Sequence, residues 1–175
     1  IFNTDKLLWI NQHYLKSDDP KKTAQELQWH MDHLHVDISH GPELSDVVIA
    51  QAERCKTLKE MAEKSRYFYE DITDYDSSAM KKHLSAESGD VLEYLIKEFQ
   101  ALSQWESDTI HEVVVETAET FDIKLGNVAQ PIRVAVTGNT ISPPIDLTLA
   151  LLGKEKTVAR LKKAAIYASS VLGKD

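Results

Sequence analysis

Apolar residues recur at helical spacing along most of this chain, and this pattern limits the fold more than any other feature of the sequence. The clearest run is 90–103, whose apolar residues share one helical face: Val91, Leu92, Leu95, Ile96, Phe99 and Leu102. This spacing is typical of an amphipathic α-helix with one buried side. Strand-like alternation is a candidate only at 113–115 and 132–137. The sequence therefore predicts an all-α fold.

Start and stop signals divide the chain into a series of short helices. The predicted helices cover 5–16, 20–34, two segments within 42–69 that break near 55–57, 79–84, 90–103, 109–121, 147–152 and 154–172. Pro20 suits a first helical position, and Ser107-Asp108 is a candidate cap for 109–121. Gly126-Asn127 is expected to end that helix. The aspartate-rich turn at 71–77 is the predicted boundary between two subdomains.

Length and composition exclude several classes of protein. A chain of 175 residues can bury a real core, and its 42% hydrophobic and 27% charged content is ordinary for a globular protein. No apolar run approaches the roughly 18–20 residues needed to span a bilayer, and no signal peptide is present. The single Cys55 excludes an internal disulfide and suits a reducing, cytoplasmic setting. Because the chain starts at Ile1, we expect a fragment of a longer protein, and nothing requires more than a monomer.

The net charge of −8 is unevenly distributed. Residues 121–175 contain eight Lys or Arg and four Asp or Glu, so they carry +4, and residues 1–120 carry −12. An acidic body with a basic end can meet a polyanion at that end alone. A solvated basic helix face accounts for the charges equally well.

Few side chains form a recognisable chemical site. His30 and His33 share a helix face, with His35 and His40 nearby, but there is no HExxH and no adjacent cysteine, so solvated or partly packed histidines are favoured over a metal site. Cys55 is interpreted as a buried core thiol. Gly-rich phosphate loops and serine–base pairs are absent. The sequence predicts no catalytic residue and no metal ligand.

Aromatic residues have two uses in such a chain. One use is stacking on unpaired bases, for which the candidates are Tyr67-Phe68-Tyr69, Trp29 and Trp105. The two tryptophans are expected on helices. Anchoring of the core is favoured, with Phe68 and one tyrosine facing inward.

Three ordered blocks resemble the C-terminal part of bacterial glutamyl-tRNA synthetases. They are FNTDKLLWINQHYL at 2–15, ERCKTLKEMAEKSRYFYED at 53–71 and QPIRVAVTGNTISPPIDLTLALLGKEKTVARL at 130–161. The resemblance implies an α-helical anticodon-binding domain of a class I ligase, which joins glutamate to tRNA(Glu) with ATP and Mg²⁺. It implies the end of a stem-contact region at 1–17, a first helical subdomain at 18–72 and a second at 73–175. The family's HIGH and KxSK signatures are absent, so the chain is expected to bind tRNA, neither DNA nor a membrane, and to catalyse nothing.

The resemblance also implies which residues meet the anticodon. In the second subdomain they are Arg133, Ser142 and Ile145. In the first, Arg54 is the candidate, with Lys56 and Arg66 as alternatives.

Physical reasoning adds further residues around these positions. Thr137 and Thr140 supply hydroxyl groups beside Arg133, and Pro143-Pro144 stiffens the loop after a short helix expected at 131–137, with Arg133 directed outward. The last helix offers cations for backbone phosphates: Lys154, Lys156, Arg160, Lys162 and Lys163.

Two other functions remain open at this point. A helical protein-interaction module explains the acidic body and the aromatic faces. A metal-binding bundle built on His30 and His33 predicts stoichiometric zinc or nickel.

Overall fold

The structure is a computed structural model that describes residues 3–171. Several residues of the sequence analysis lie outside the described residues, namely Phe2 of the first motif, Leu172 of the expected last helix, and Lys174 and Asp175 of the charge count. No strand occurs within 3–171, so the all-α prediction is confirmed for that range. The runs at 113–115 and 132–137 are helical. The chain folds as two compact units, Ile1–Asp71 and Ile72–Asp175.

The first unit is built around its second helix. Its helices are α1 Thr4–Ser17, α2 Pro20–His33, α3 Leu44–Gln51 and α4 Leu58–Lys64, followed by a 3-10 turn at Arg66–Phe68. The α2 helix packs against α3 and α4, and the fully buried core includes Leu27, Met31, Val47, Met61 and Phe68. As predicted, Pro20 opens α2, and the carboxylate of Asp19 accepts the Lys21 N–H.

The second unit surrounds α8. Its helices are α5 Ser77–His83, α6 Ala86–Ala101, α7 Ser107–Thr120, α8 Leu125–Thr137, α9 Ile145–Leu152 and α10 Lys154–Val171. The α8 helix contacts α5, α6, α7, α9 and α10. Its side chains enter a core with fully buried Leu92, Leu95, Phe99, Ile110, Ile132, Leu149 and Leu161. This packing holds the C-terminal end of α8 and the loop after it in place.

The sequence predictions around α7 and α8 were wrong at three points. The N-cap of α7 is Glu106, whose N–H donates to the Thr109 hydroxyl, and neither Ser107 nor Asp108 takes that position. The helix ends at Thr120 because Asp122 adopts φ +51°, not at Gly126-Asn127. Gly126 lies in the first turn of α8, so α8 spans Leu125–Thr137 and is much longer than the expected 131–137.

Candidate nucleic-acid interface

The last turns of α8 carry Arg133 on the less buried side of the helix. Ile132, Val134 and Val136 are fully buried, which confirms that the β-branched residues form the packed side. Gly138, at φ +78°, ends the helix, and its N–H donates to the carbonyl of Val134. Glycine suits this left-handed position because it has no Cβ.

Arg133 is directed into the following loop and is half-buried, whereas the sequence predicted an outward orientation. Its Nε donates to the Oγ of Ser142 over 2.8 Å. The same hydroxyl donates to the carbonyl of Pro143 over 2.7 Å. The guanidinium plane is therefore fixed by the loop, which leaves less side-chain freedom to be lost when a ligand binds.

Thr148 on α9 holds the Pro143-Pro144 turn from the interior. Its side chain is fully buried, and its hydroxyl lies 3.1 Å from the Pro143 carbonyl and 3.0 Å from the Pro144 carbonyl. Its N–H donates to the Pro144 carbonyl over 2.9 Å. Sequence reasoning missed Thr148, and its position at the fourth residue of a helix that follows two prolines was the available signal.

The two predicted threonines lie in the same loop. The Thr137 hydroxyl donates to the Arg133 carbonyl over 2.7 Å and accepts the Asn139 N–H over 3.1 Å. The Oδ1 of Asn139 accepts the Thr140 N–H over 2.7 Å. The structure thus brings Arg133, Thr137, Thr140 and Ser142 together at the end of α8.

Ile145 and Ile141 have opposite surroundings. Ile145, which the family resemblance implied as a contact, is the first residue of α9 and only 8% exposed, so its side chain belongs to the core. Ile141, which sequence reasoning did not select, is 69% exposed in the loop. An apolar residue inside an otherwise polar turn was the signal for it.

Two of the five expected phosphate cations have structural partners instead. The Nζ of Lys154 donates to the carbonyls of Gln100 and Leu102, over 2.9 and 2.6 Å, and so satisfies the C-terminal end of α6. Arg160 is 7% exposed, and its Nη1 donates to the Val136 carbonyl over 2.8 Å. We therefore leave Lys154 out of the surface that we assign to phosphates because of its two bonds, and Arg160 because of its bond and its burial.

The other three cations differ in exposure. Lys156 is half-buried, whereas Lys162 and Lys163 are exposed on α10. The Nζ of Lys163 lies 5.6 Å from the centre of the Tyr75 ring. The Tyr75 backbone in turn lies against Gly138, so Lys163 stands beside the loop that follows α8.

The cationic candidates of the first unit lie between and after its last helices. Arg54 is half-buried in the connection between α3 and α4, with Nη1 3.5 Å from the Ala50 carbonyl. Lys56 and Arg66 are exposed, and the Nε of Arg66 pairs with Glu70 over 3.0 Å.

Residues 3–171 form neither a metal-binding cluster nor a site with a reactive thiol. That range contains no group of three or more His, Cys, Asp or Glu side chains placed to hold a metal ion. Burial raises the pKa of the Cys55 thiol to about 11, and its side chain is fully buried. The interpretation of Cys55 as a core thiol is confirmed. No helix in this range is long and apolar enough to cross a membrane.

The aromatic residues are divided between core and surface. Phe68 is fully buried and Tyr69, 9% exposed, donates its hydroxyl to the Pro42 carbonyl, as the core-anchoring interpretation predicted. Trp29 is 57% exposed, and its ring centre lies 3.6 Å from that of His33. Trp105 precedes α7 in a connection and is not helical, and its indole N–H donates to the Leu149 carbonyl over 2.9 Å.

Comparison with known sequences identifies relatives over most of the chain. Two glutamate–tRNA ligases of Legionella pneumophila, from subspecies pneumophila strain Philadelphia 1 and from strain Corby, are each 50% identical over 163 residues. These matches cover 93% of this chain and 35% of each relative. The chain therefore spans about a third of the length of these curated relatives.

Comparison with solved structures supports the same fold. A crystal structure of a glutamate tRNA ligase from Elizabethkingia meningosepticum, in complex with its amino acid, matches with a TM-score of 0.85 and 24% identity. A glutamate-tRNA synthetase structure from Elizabethkingia anophelis matches with a TM-score of 0.80 and 23% identity. Each match covers 94% of this chain and 32% of the other. A family model for the anticodon binding domain matches residues 22–165, and the chain belongs to this family.

Proposed function

We propose that this chain is the tRNA-binding part of a glutamate–tRNA ligase, and that Arg133 and Ser142 read anticodon bases of tRNA(Glu). The ligase part rests on the 50% identity to two such enzymes. The site rests on one observation: the Arg133 Nε is already fixed to the Ser142 hydroxyl at 2.8 Å. A guanidinium held in this way lies in a defined plane with fixed donor directions, which suits recognition of a planar base.

The surrounding residues take supporting roles in this proposal. Thr137 and Thr140 shape the loop with their hydroxyl groups, and Lys162 and Lys163 meet backbone phosphates without reading sequence. In the first unit Arg54 is the second reader. Residues 1–17 form the end of a stem-contact region, 18–72 form the first anticodon-binding subdomain and 73–175 the second.

The chemistry of the parent enzyme lies outside this chain. ATP and Mg²⁺ activate glutamate in such a ligase, and the sequence has neither the HIGH nor the KxSK signature. Gly138 and Gly153 do not form a phosphate loop, because each stands alone at a helix boundary. The chain accordingly contributes tRNA recognition, as a cytoplasmic monomer, and no bond-making step.

Substitution of Arg133 tests the proposal. Arg133→Ala is expected to weaken binding of a fluorescent tRNA(Glu) anticodon stem-loop by about 1–3 kcal/mol, and to abolish preference over a loop with a permuted anticodon. Lys97→Ala, an exposed charge change on α6, is the control and should bind like the parent chain. Equal affinity of Arg133→Ala and parent for the cognate loop would overturn the assignment. A protein-interaction module, the alternative function, predicts no RNA binding in the same titration.

Substitution of Lys162 tests the phosphate role separately. Lys162→Ala removes an exposed cation. Because the proposed contact is to a backbone phosphate, the loss of affinity should be the same for every RNA sequence. The slope of log affinity against log salt concentration is expected to become shallower by about 0.7, the value for one phosphate of a single strand. An unchanged slope would remove Lys162 from the interface.

A further inference from the structure

Ile141 is an exposed apolar residue at the centre of the proposed site. Its side chain is 69% exposed, and it lies between Gly138, which ends α8, and Ser142, which binds Arg133. A single exposed apolar side chain is ordinary on a protein surface and indicates nothing by itself. Its meaning depends on how the loop is held and on what lies beside it.

The loop backbone is fixed on both sides of Ile141. Before it, the Asp76 N–H donates to the Gly138 carbonyl over 2.9 Å, and Asn139 bonds to Thr137 and Thr140. After it, the Ser142 hydroxyl is held by Arg133 and by the Pro143 carbonyl. Ile141 therefore remains exposed on an ordered backbone.

Two charged groups belong to the surroundings of this loop. One is the guanidinium of Arg133, which is bonded to Ser142, the residue next to Ile141. The other is Lys163, whose Nζ lies 5.6 Å from the centre of the Tyr75 ring, and the Tyr75 Cα lies 3.6 Å from the point where a Gly138 Cβ would stand. Ile141 follows Gly138 by three residues, so their Cα atoms are at most about 11 Å apart. An exposed apolar side chain thus belongs to the same loop region as a guanidinium and an ammonium group.

We propose that one unpaired base of the RNA packs its face on Ile141 while Lys163, positioned by Tyr75, contacts the adjoining phosphate; this rests on the proposed function and extends it to Ile141 and Tyr75, which no comparison assigns. A nucleotide has a base with an apolar face and polar edges, and its phosphate lies next to the base along the strand. The apolar side chain, the hydroxyl-held guanidinium and the ammonium group match these three parts in turn.

The surroundings favour RNA over a docked protein. A protein-docking site usually needs a contiguous apolar patch of a few hundred Å². The neighbours of Ile141 in the loop are polar, namely Asn139, Thr140 and Ser142. One apolar residue among hydroxyl, amide and cationic groups fits a base better than it fits a helix or strand.

The test combines a protein substitution with a change in the RNA. Ile141→Ser and a control, Leu125→Ser, are titrated with the tRNA(Glu) anticodon stem-loop and with three versions that are abasic at one anticodon position each. Leu125 is 45% exposed at the opposite end of α8, about 18 Å along the helix axis from Thr137. The Ile141→Ser chain is expected to bind about 5-fold more weakly, and Leu125→Ser is expected to bind like the parent.

The abasic loops identify the contact. At one position the abasic loop should weaken binding to the parent chain, and Ile141→Ser should cause no further loss with that loop, because the contact is already gone. Lys163→Ala should make the salt slope shallower by about 0.7, and Tyr75→Leu should reproduce part of that change.

The outcomes separate this inference from the proposed function. The role of Ile141 would be overturned if Ile141→Ser bound the stem-loop as tightly as the parent chain, or if its loss of affinity added to the loss caused by every abasic loop. Weaker RNA binding by Arg133→Ala would still support the site in that case. An unchanged salt slope for Lys163→Ala would overturn the phosphate contact. If the parent chain binds no RNA, both proposals fail.

Discussion

At the scale of single residues, the Thr148 hydroxyl holds the Pro143-Pro144 turn from the interior. It is fully buried beside the carbonyls of Pro143 and Pro144. Thr148→Val keeps the shape and removes the hydroxyl donor, while the Pro143 carbonyl keeps the Ser142 hydroxyl and the Pro144 carbonyl keeps the Thr148 N–H, so the expected cost is that of one hydrogen bond, about 0.5–1.5 kcal/mol. We expect this loss in urea unfolding, together with weaker binding of the anticodon stem-loop.

Thr148→Ser is the matched control for that prediction. It restores the hydroxyl and removes only a methyl group, so the stem-loop affinity should return to the parent value even though some stability is lost. If the valine variant binds RNA like the parent, the hydroxyl does not position the loop.

Cys55 gives a second prediction at this scale. Burial raises its thiol pKa to about 11, whereas an unfolded cysteine titrates near 8.5, so at pH 8.5 the folded thiolate fraction is about 100-fold lower. Labelling by iodoacetamide at that pH should be at least this much slower in buffer than in urea. The rate in buffer should rise about tenfold per pH unit and should level off only near pH 11, whereas the rate in urea levels off above about pH 8.5. Fast labelling of a chain with an unchanged circular dichroism spectrum would contradict the buried position.

At the scale of helices, the two glycines of α8 predict opposite effects of the same substitution. Gly138 has φ +78°, and an added Cβ would lie 3.0 Å from the Asp74 carbonyl oxygen and from a methyl carbon of Ile72. Gly138→Ala should therefore cost about 1–3 kcal/mol of unfolding free energy. Gly126 lies in the first helical turn with nothing within 4 Å of an added Cβ, so Gly126→Ala should stabilise by about 0.5–1 kcal/mol. Thermal melts that move in the same direction for both variants would contradict this assignment.

Most helices could be predicted from the sequence, because apolar spacing reports directly on burial. The end of α7 could not, since it depends on Asp122 at φ +51° with the Ile123 N–H donating to the Ala118 carbonyl over 3.0 Å. Glycine is the usual signal for such an end. The end of α7 was therefore predicted at Gly126, although Gly126 lies inside the next helix.

The candidate site divides in the same way. Arg133 and Ser142 were predicted from the family resemblance, and the structure joins them at 2.8 Å. The burial of Arg160 and Ile145 could not be predicted, because it depends on which face each helix turns to its neighbours. Arg160 donates to the end of α8, and Ile145 enters the core at the start of α9. A count of cations along α10 cannot separate a buried Arg160 from an exposed Lys162.

At the scale of the whole molecule, the boundary between the two compact units differs from the point where the net charge changes from negative to positive. The two units divide at Asp71 and Ile72, and each carries a net charge of −4, with nine basic and thirteen acidic residues in 1–71 and eleven and fifteen in 72–175. The positive end begins near residue 121, inside the second unit. We expect the proposed RNA binding there to depend on local charge, because exposed charges more than about 8 Å away are largely screened at physiological salt.

The second unit has a core of its own, so we expect a fragment of residues 72–175 to fold alone. Trp105 is its only tryptophan, and the indole contacts both the Leu149 carbonyl, at 2.9 Å, and the Phe99 ring, with 5.3 Å between ring centres. Its fluorescence therefore reports the packing of α9 against the core. In urea, the Trp105 signal and the helical circular dichroism signal should change together in one transition, as expected for a two-state domain. Helical signal that persists after Trp105 becomes solvated, or a gradual change without a transition, would show that the second unit needs the first in order to fold.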